Sequence, residues 1–97
     1  MKVGNNMRIS RVQNMTGSNG NKVANQFILN IGADRIFQSY DSVIAVQNWD
    51  GVTLDKNYWD YSVTTGKYRN QFLGETKAET LKKIKSGEYK LADLNKE

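Results

Sequence analysis

Apolar and polar residues alternate from Val23 to Ile31 with the two-residue period of a half-buried strand. Val23, Phe27, Leu29 and Ile31 fall on one face, and Gln26 and Asn30 on the other. Gly32-Ala33-Asp34 makes a short turn, and Arg35 to Tyr40 returns beside the first run, so the spacing predicts a hairpin. Ser42 to Gln47 is a further apolar run of strand type, and Asp50-Gly51 turns the chain into a short strand at Val52-Thr53-Leu54. Ahead of these, Met7 to Asn14 alternates loosely, with Ile9 and Val12 among polar residues, as an edge strand does. Thr16-Gly17-Ser18-Asn19-Gly20-Asn21 reads as a loop in which Asn-Gly favours positive φ. Residues 1–6 carry no pattern and are expected to form a disordered N-terminus, with Met7 a candidate second start. Residues 7–54 therefore read as mainly strands, three to five of them, antiparallel in a meander.

The period changes in the second half. Thr64 or Thr65 is expected to cap a short helix over Gly66 to Leu73, with Tyr68 and Phe72 at i and i+4 on one face and Gly74 as its stop. Thr76-Lys77-Ala78-Glu79 is a capping box opening a second helix with an apolar stripe of Ala78, Leu81 and Ile84. Glu79 stands four residues before Lys83, the favourable order for a helical ion pair, and Gly87 suits the C′ position. Glu88 to Leu94 is either a last strand or an extended tail. Two helices in residues 64–87 following a sheet give an α+β fold, with the helices packed on one face. At 97 residues the chain is expected to be a single domain with one modest core.

Composition narrows the chemistry. There is no Cys, so disulfides and thiolate metal sites are excluded, and there is no His, so the usual general base near neutral pH is missing. Catalysis by Asp, Glu, Tyr or Lys is not excluded, but the chain is expected not to be an enzyme and to need no cofactor and no metal. No stretch is long and apolar enough for a membrane span, and the first residues lack the apolar core of a signal peptide, so a cytoplasmic protein is expected. The net charge of +4 is unevenly placed. Residues 1–30 hold Lys2, Arg8, Arg11 and Lys22 and no acid, whereas residues 31–61 hold Asp34, Asp41, Asp50, Asp55 and Asp60 against Arg35 and Lys56. Segregation of this kind can mark a surface for nucleic acid or an acidic partner. A net charge of this size is also ordinary for a small solvated domain.

Several candidate motifs have plain structural readings. Thr64-Thr65-Gly66-Lys67 lacks the upstream Gly and following Ser or Thr of a phosphate loop, since those positions are Tyr61 and Tyr68. What survives is a helix start that, with Lys67 and Arg69, could hold an anion, or else is a simple cap with solvated cations. Asp41, Asp50, Asp55 and Asp60 fit ordinary turn chemistry and lack the spacing of a calcium loop. Lys77, Lys82, Lys83 and Lys85 read as a solvated helix face near a C-terminus. The most informative group is Trp49, Lys56, Tyr58, Tyr61, Lys67, Tyr68 and Arg69, with Trp59 beside them. Rings that stack on bases next to cations that meet phosphates are the makings of a nucleotide or single-strand site. The same residue types make protein-binding hot spots, or simply a core short of Leu and Ile. Trp59 and Phe72 are expected in the core, and Trp49, flanked by Asn48 and Asp50-Gly51, on an exposed tip.

Phe37-Gln38-Ser39-Tyr40, Tyr58-Trp59-Asp60-Tyr61-Ser62, the run from Thr64 through Lys67-Tyr68-Arg69-Asn70-Gln71 to Leu73, and Lys83-Ile84-Lys85-Ser86-Gly87 resemble a family of small uncharacterised proteins encoded by tailed bacteriophages and prophages, over most of residues 7–94. That resemblance implies a phage origin and the host bacterial cytoplasm as the working compartment. It carries no activity and assigns no role to any residue. The function expected from residues and resemblance together is a non-catalytic accessory protein engaging an anionic partner, either nucleic acid or an acidic host-protein surface, and so interfering with host machinery or defence. The alternatives are a pocket that sequesters a nucleotide or cyclic nucleotide, and a structural or assembly component. In the last, a strand edge such as Met7 to Asn14 could pair between copies, as in a homodimer.

Overall fold

The computed structural model describes residues 9–96. Five strands come first: β1 (Ile9–Thr16), β2 (Lys22–Ile31), β3 (Asp34–Ser39), β4 (Ser42–Asn48) and β5 (Gly51–Asp55). Two helices follow, α1 (Val63–Leu73) and α2 (Lys77–Ser86), and then a short strand β6 (Lys90–Ala92). The strands form one six-stranded sheet in chain order, antiparallel throughout except that β6 lies parallel to β5. The fold is thus α+β as expected, but with more strands than the expected three to five. The extra one comes from the segment after Gly87: α1 and α2 together form the long crossover that a parallel neighbour requires. β1 sits at the edge, while the expected disordered residues 1–6 and the expected strand start at Met7 and Arg8 lie outside the described residues.

One face of the sheet carries the helices. Its core contains Met15, Phe37, Ile44, Val52 and Leu54 from the strands, with Tyr68 and Phe72 from α1 and Tyr89 ahead of β6. Phe37 and Phe72 stack with ring centroids 5.8 Å apart. Each fully buried side chain of this size stabilises the fold by about 1.5–3 kcal/mol. The ladder between β3 and β4 shifts register after Phe37, which pairs with Ala45 while Gln38 pairs with Val43. Ile44 is therefore an extra residue, and both it and Ala45 are fully buried. Arg35 lies 4.3 Å from the Phe72 ring centroid and donates to the Phe72 carbonyl and to Gln47 Oε1, fixing the end of α1 on the sheet.

β2 departs from the expected face pattern. Asn25 has φ 64°, which interrupts the alternation. Val23 consequently packs with the helix-side core, whereas Leu29 opposes Ile36, and Ile36 opposes Val46, on the far face. Val23 does not share a face with Phe27, Leu29 and Ile31. Gln26 stands opposite Ser39, fully buried, with neither side-chain polar atom partnered. An amide left so costs about 1–3 kcal/mol. The β2–β3 loop has positive φ only at Gly32, its first central residue, as a type II′ turn requires. The β3–β4 turn places Tyr40 at φ 54° in the same position, a conformation that strains a non-glycine residue.

α1 begins earlier than expected. Ser62 is extended, and its Oγ accepts from the Thr65 amide, so the cap is Ser62 and not Thr64 or Thr65. Thr65 instead turns inward, its hydroxyl 3.0 Å from that of Ser39. Tyr68 and Phe72 share the buried face, and Gly74 ends the helix in the left-handed region, both as expected. The capping box of Thr76 and Glu79 forms, and Gly87 ends α2. Of the expected stripe only Ile84 turns inward: Ala78 and Leu81 are exposed, and Thr80 is buried instead.

The rotation of α2 follows from Glu75. Its carboxylate, only 6% exposed, accepts from Thr80 Oγ1 at 2.6 Å, Lys83 Nζ at 2.7 Å and the Tyr89 hydroxyl at 2.9 Å. Lys83 therefore pairs with Glu75 and not with Glu79. Burial alone would raise the Glu75 pKa, but the bonds from Lys83, Thr80 and Tyr89 outweigh it and hold the group below its ordinary 4.5. A depressed folded value means that this contribution is complete above the ordinary carboxylate range and is lost as pH falls through and below it. Glu75→Gln should accordingly lower the urea midpoint at neutral pH, and the gap to the parent should narrow in acid. A gap independent of pH would contradict this reading.

Candidate functional site

The antiparallel order gathers particular loops at one end of the sheet. The end of β1, the start of β2, the β3–β4 turn, the end of β5 and the start of α1 all lie there. The β2–β3 and β4–β5 turns lie at the other end. Trp49, on the β4–β5 turn, is 85% exposed as expected, yet it stands a strand's length from the remaining candidates. It does not join them in one patch.

Arg69 is also removed from the surface. It is 1% exposed, and its Nη1 donates to the Trp59 carbonyl at 2.8 Å and to Asp60 Oδ1 at 3.0 Å, while Nη2 donates to Asn70 Oδ1 at 2.8 Å. Its guanidinium carbon lies 5.1 Å from the Trp59 ring centroid. Asp60 takes Lys77 on its other oxygen at 2.6 Å. Burial would raise the Asp60 pKa, but the hydrogen bonds from Lys77 and Arg69 prevail and hold it below its ordinary value. Arg69 is thus a tie between α1 and the loop that precedes it; its Nε has no partner but is buried, so no donor faces solvent. Trp59 is half-buried against the core and Phe72 is buried, both as expected.

That loop displays the rings that are accessible. Asp55, fully buried at the end of β5, accepts from the amides of Asn57 and Tyr58 on Oδ2 and from the Leu94 amide on Oδ1. The turn it builds presents Tyr58 and Tyr61, 38% and 51% exposed, edge to face with centroids 5.5 Å apart. Lys56 is exposed beside them, and Val63, at the first position of α1, is 91% exposed. Lys67 follows Val63 by four residues and so lies on the same helix face.

The rim of this end also contains a cleft of about 280 Å³ between the β1–β2 loop and α1. Gly17, Ser18, Asn19, Asn21, Lys22 and Val23 line one side, and Lys67 and Tyr68 the other. Tyr68 is 6% exposed and forms wall more than surface, with Lys67 Nζ 5.4 Å from its ring centroid. Among the described residues, no carboxylate lines the cleft. The loop is held by its own bonds: the Gly17 amide to the Asn21 carbonyl, the Asn21 amide to Asn19 Oδ1, and Gln71 from α1 to the Thr16 carbonyl. Lys22, Asn19 and Asn21 were not singled out from sequence. Their loop was legible, but its apposition to α1 depends on the whole sheet. Lys56, Tyr58, Tyr61, Lys67 and Tyr68 are therefore brought to one end, and Trp49 and Arg69 are not part of its exposed surface.

Among the described residues, no group of three or more acidic side chains is placed to hold a metal ion, and no helix is long and apolar enough to cross a membrane. Neither the curated proteins nor the solved structures contain a match to this chain. A family model does match residues 10–88, nearly the whole of the sheet and both helices. On that match the chain belongs to a family of unknown function, DUF8033.

Proposed function

We propose that this chain is a non-catalytic binding protein whose partner is single-stranded nucleic acid, engaged at the end of the sheet where α1 begins. The observation that carries this reading is that one end of the sheet presents the exposed Tyr58–Tyr61 pair, exposed Lys56 and Lys67, and a cleft lined by two lysines and, among the described residues, by no carboxylate. Exposed rings offer bases a stacking platform, and nearby ammonium groups meet the backbone phosphates. An acidic protein surface would satisfy the lysines but would leave the tyrosine faces without their most fitting partner. A phage origin, and with it a host bacterial cytoplasm as compartment, belongs to this reading through the resemblance of the quoted motifs alone.

Fluorescence anisotropy with a labelled oligonucleotide of about 12 nucleotides tests it. If Lys22, Lys56 and Lys67 each neutralise one phosphate, affinity should fall roughly 20-fold between about 50 and about 200 mM salt. Replacing Tyr58 and Tyr61 together by Ala should weaken binding at either salt, with a circular dichroism spectrum like the parent's showing that the fold is kept. An absence of binding at low salt would sink the reading.

A further inference from the structure

We propose that the cleft between the β1–β2 loop and α1 is a site for a phosphate monoester, the chemistry of a strand end or of a free mononucleotide. The assignment to a strand end rests on the nucleic-acid reading above; the assignment of the cleft to a phosphate monoester does not. Two cations from distant parts of the chain, Lys22 on β2 and Lys67 on α1, line one concavity that, among the described residues, no carboxylate lines. A carboxylate within such a cleft would compensate them internally; without one, an anion from solution does so. A monoester carries close to two negative charges near neutral pH, against one for each backbone diester, and so matches a pair of ammonium groups better.

The remaining wall suits oxygen-rich ligands. Ser18, Asn19 and Asn21 supply a hydroxyl and side-chain amides, and Tyr68 brings its ring. Asn19 Oδ1 is already engaged by the Asn21 amide, which holds the loop in shape before a ligand arrives. At about 280 Å³ the cleft is at the lower bound of small-molecule sites, large enough for a phosphate with its sugar and too small for a polynucleotide. The Tyr58–Tyr61 surface at the same end of the sheet is where further nucleotides would lie.

Titration calorimetry on the full chain separates the possibilities, using inorganic phosphate, a nucleoside monophosphate, and one oligonucleotide with and without a terminal phosphate. The phosphorylated oligonucleotide should bind about tenfold more tightly than its unphosphorylated form. Lys22→Gln and Lys67→Gln should each erase most of that difference and leave the melting temperature unchanged, both side chains being exposed. The Tyr58→Ala, Tyr61→Ala double variant should weaken both oligonucleotides alike and preserve their ratio. Equal binding of the two oligonucleotides, both weakened alike in the lysine variants, would overturn the cleft assignment while leaving the strand reading intact. Tight binding of the mononucleotide, lost in the lysine variants and without any contribution from a longer strand, would support the cleft and overturn the strand reading. Binding of none of the probes overturns both.

Discussion

Arg69→Ala is expected to cost the fold about 2–5 kcal/mol, because a fully buried side chain and its hydrogen bonds are lost together. The guanidinium is enclosed, bonded to a carbonyl, a carboxylate and a side-chain amide, and covered by the Trp59 ring. Its loss leaves the Trp59 carbonyl without its donor and Asp60 with only the more exposed Lys77. Since small domains have about 5–15 kcal/mol in all, the Ala variant can fall close to unfolding. Arg69→Lys therefore belongs in the same series: it keeps the charge but loses the planar fork, so its urea midpoint should fall between those of the parent and Arg69→Ala. Lys67→Ala, two positions away but exposed, should match the parent midpoint. The opposite pattern, in which Arg69→Ala folds as well as the parent and only ligand binding suffers, would make Arg69 part of the binding surface.

The second large effect is expected at Asp55. Asp55→Ala should lose about 3 kcal/mol or more, because the carboxylate accepts from the amides of Asn57, Tyr58 and Leu94 in a fully buried position. Two distant segments depend on it. One is the turn that presents Tyr58 and Tyr61. The other is the tail after β6, where the side-chain amide of Asn95 pairs with both backbone groups of Val43 and extends the ladder beyond the end of β5. Asp55→Asn keeps one acceptor oxygen and should retain part of the loss. Urea unfolding measures the cost, and amide exchange at Val43 reports the tail: protection there should drop in Asp55→Ala. Unchanged protection with an unchanged midpoint would show that the carboxylate ties nothing together.

These two residues also mark the boundary of what local sequence conveys. The capping box at Thr76, the stops at Gly74 and Gly87, and the Tyr68–Phe72 pair were legible because each depends on neighbours within one or two helical turns. The β2–β3 hairpin was legible because its turn and alternation are local. The face of Val23 was not, since one residue in the left-handed region, Asn25, resets the phase of a strand whose sequence reads as regular. The orientation of α2 was not, because Glu75, ahead of the helix, outweighs the weak apolar stripe of Ala78 and Leu81. At the site, Lys56, Tyr58 and Tyr61 stood out as rings beside a cation, but the sequence left open whether they form surface or core, and Arg69 resembles any surface arginine until Trp59 and Asp60 fold around it. Lys22 carries no signal of its own. It matters only where the β1–β2 loop comes against α1, a contact that no local pattern encodes.

The most direct test of binding at this end of the sheet is an amide chemical-shift titration of the full chain with a short single-stranded oligonucleotide. Shifts should concentrate in residues 17–23, 56–63 and 67–68, and fade as salt is added, while the amides of Trp49 and its turn stay still. Shifts centred on the Trp49 turn, or spread evenly over the molecule, would contradict a ligand surface where α1 begins.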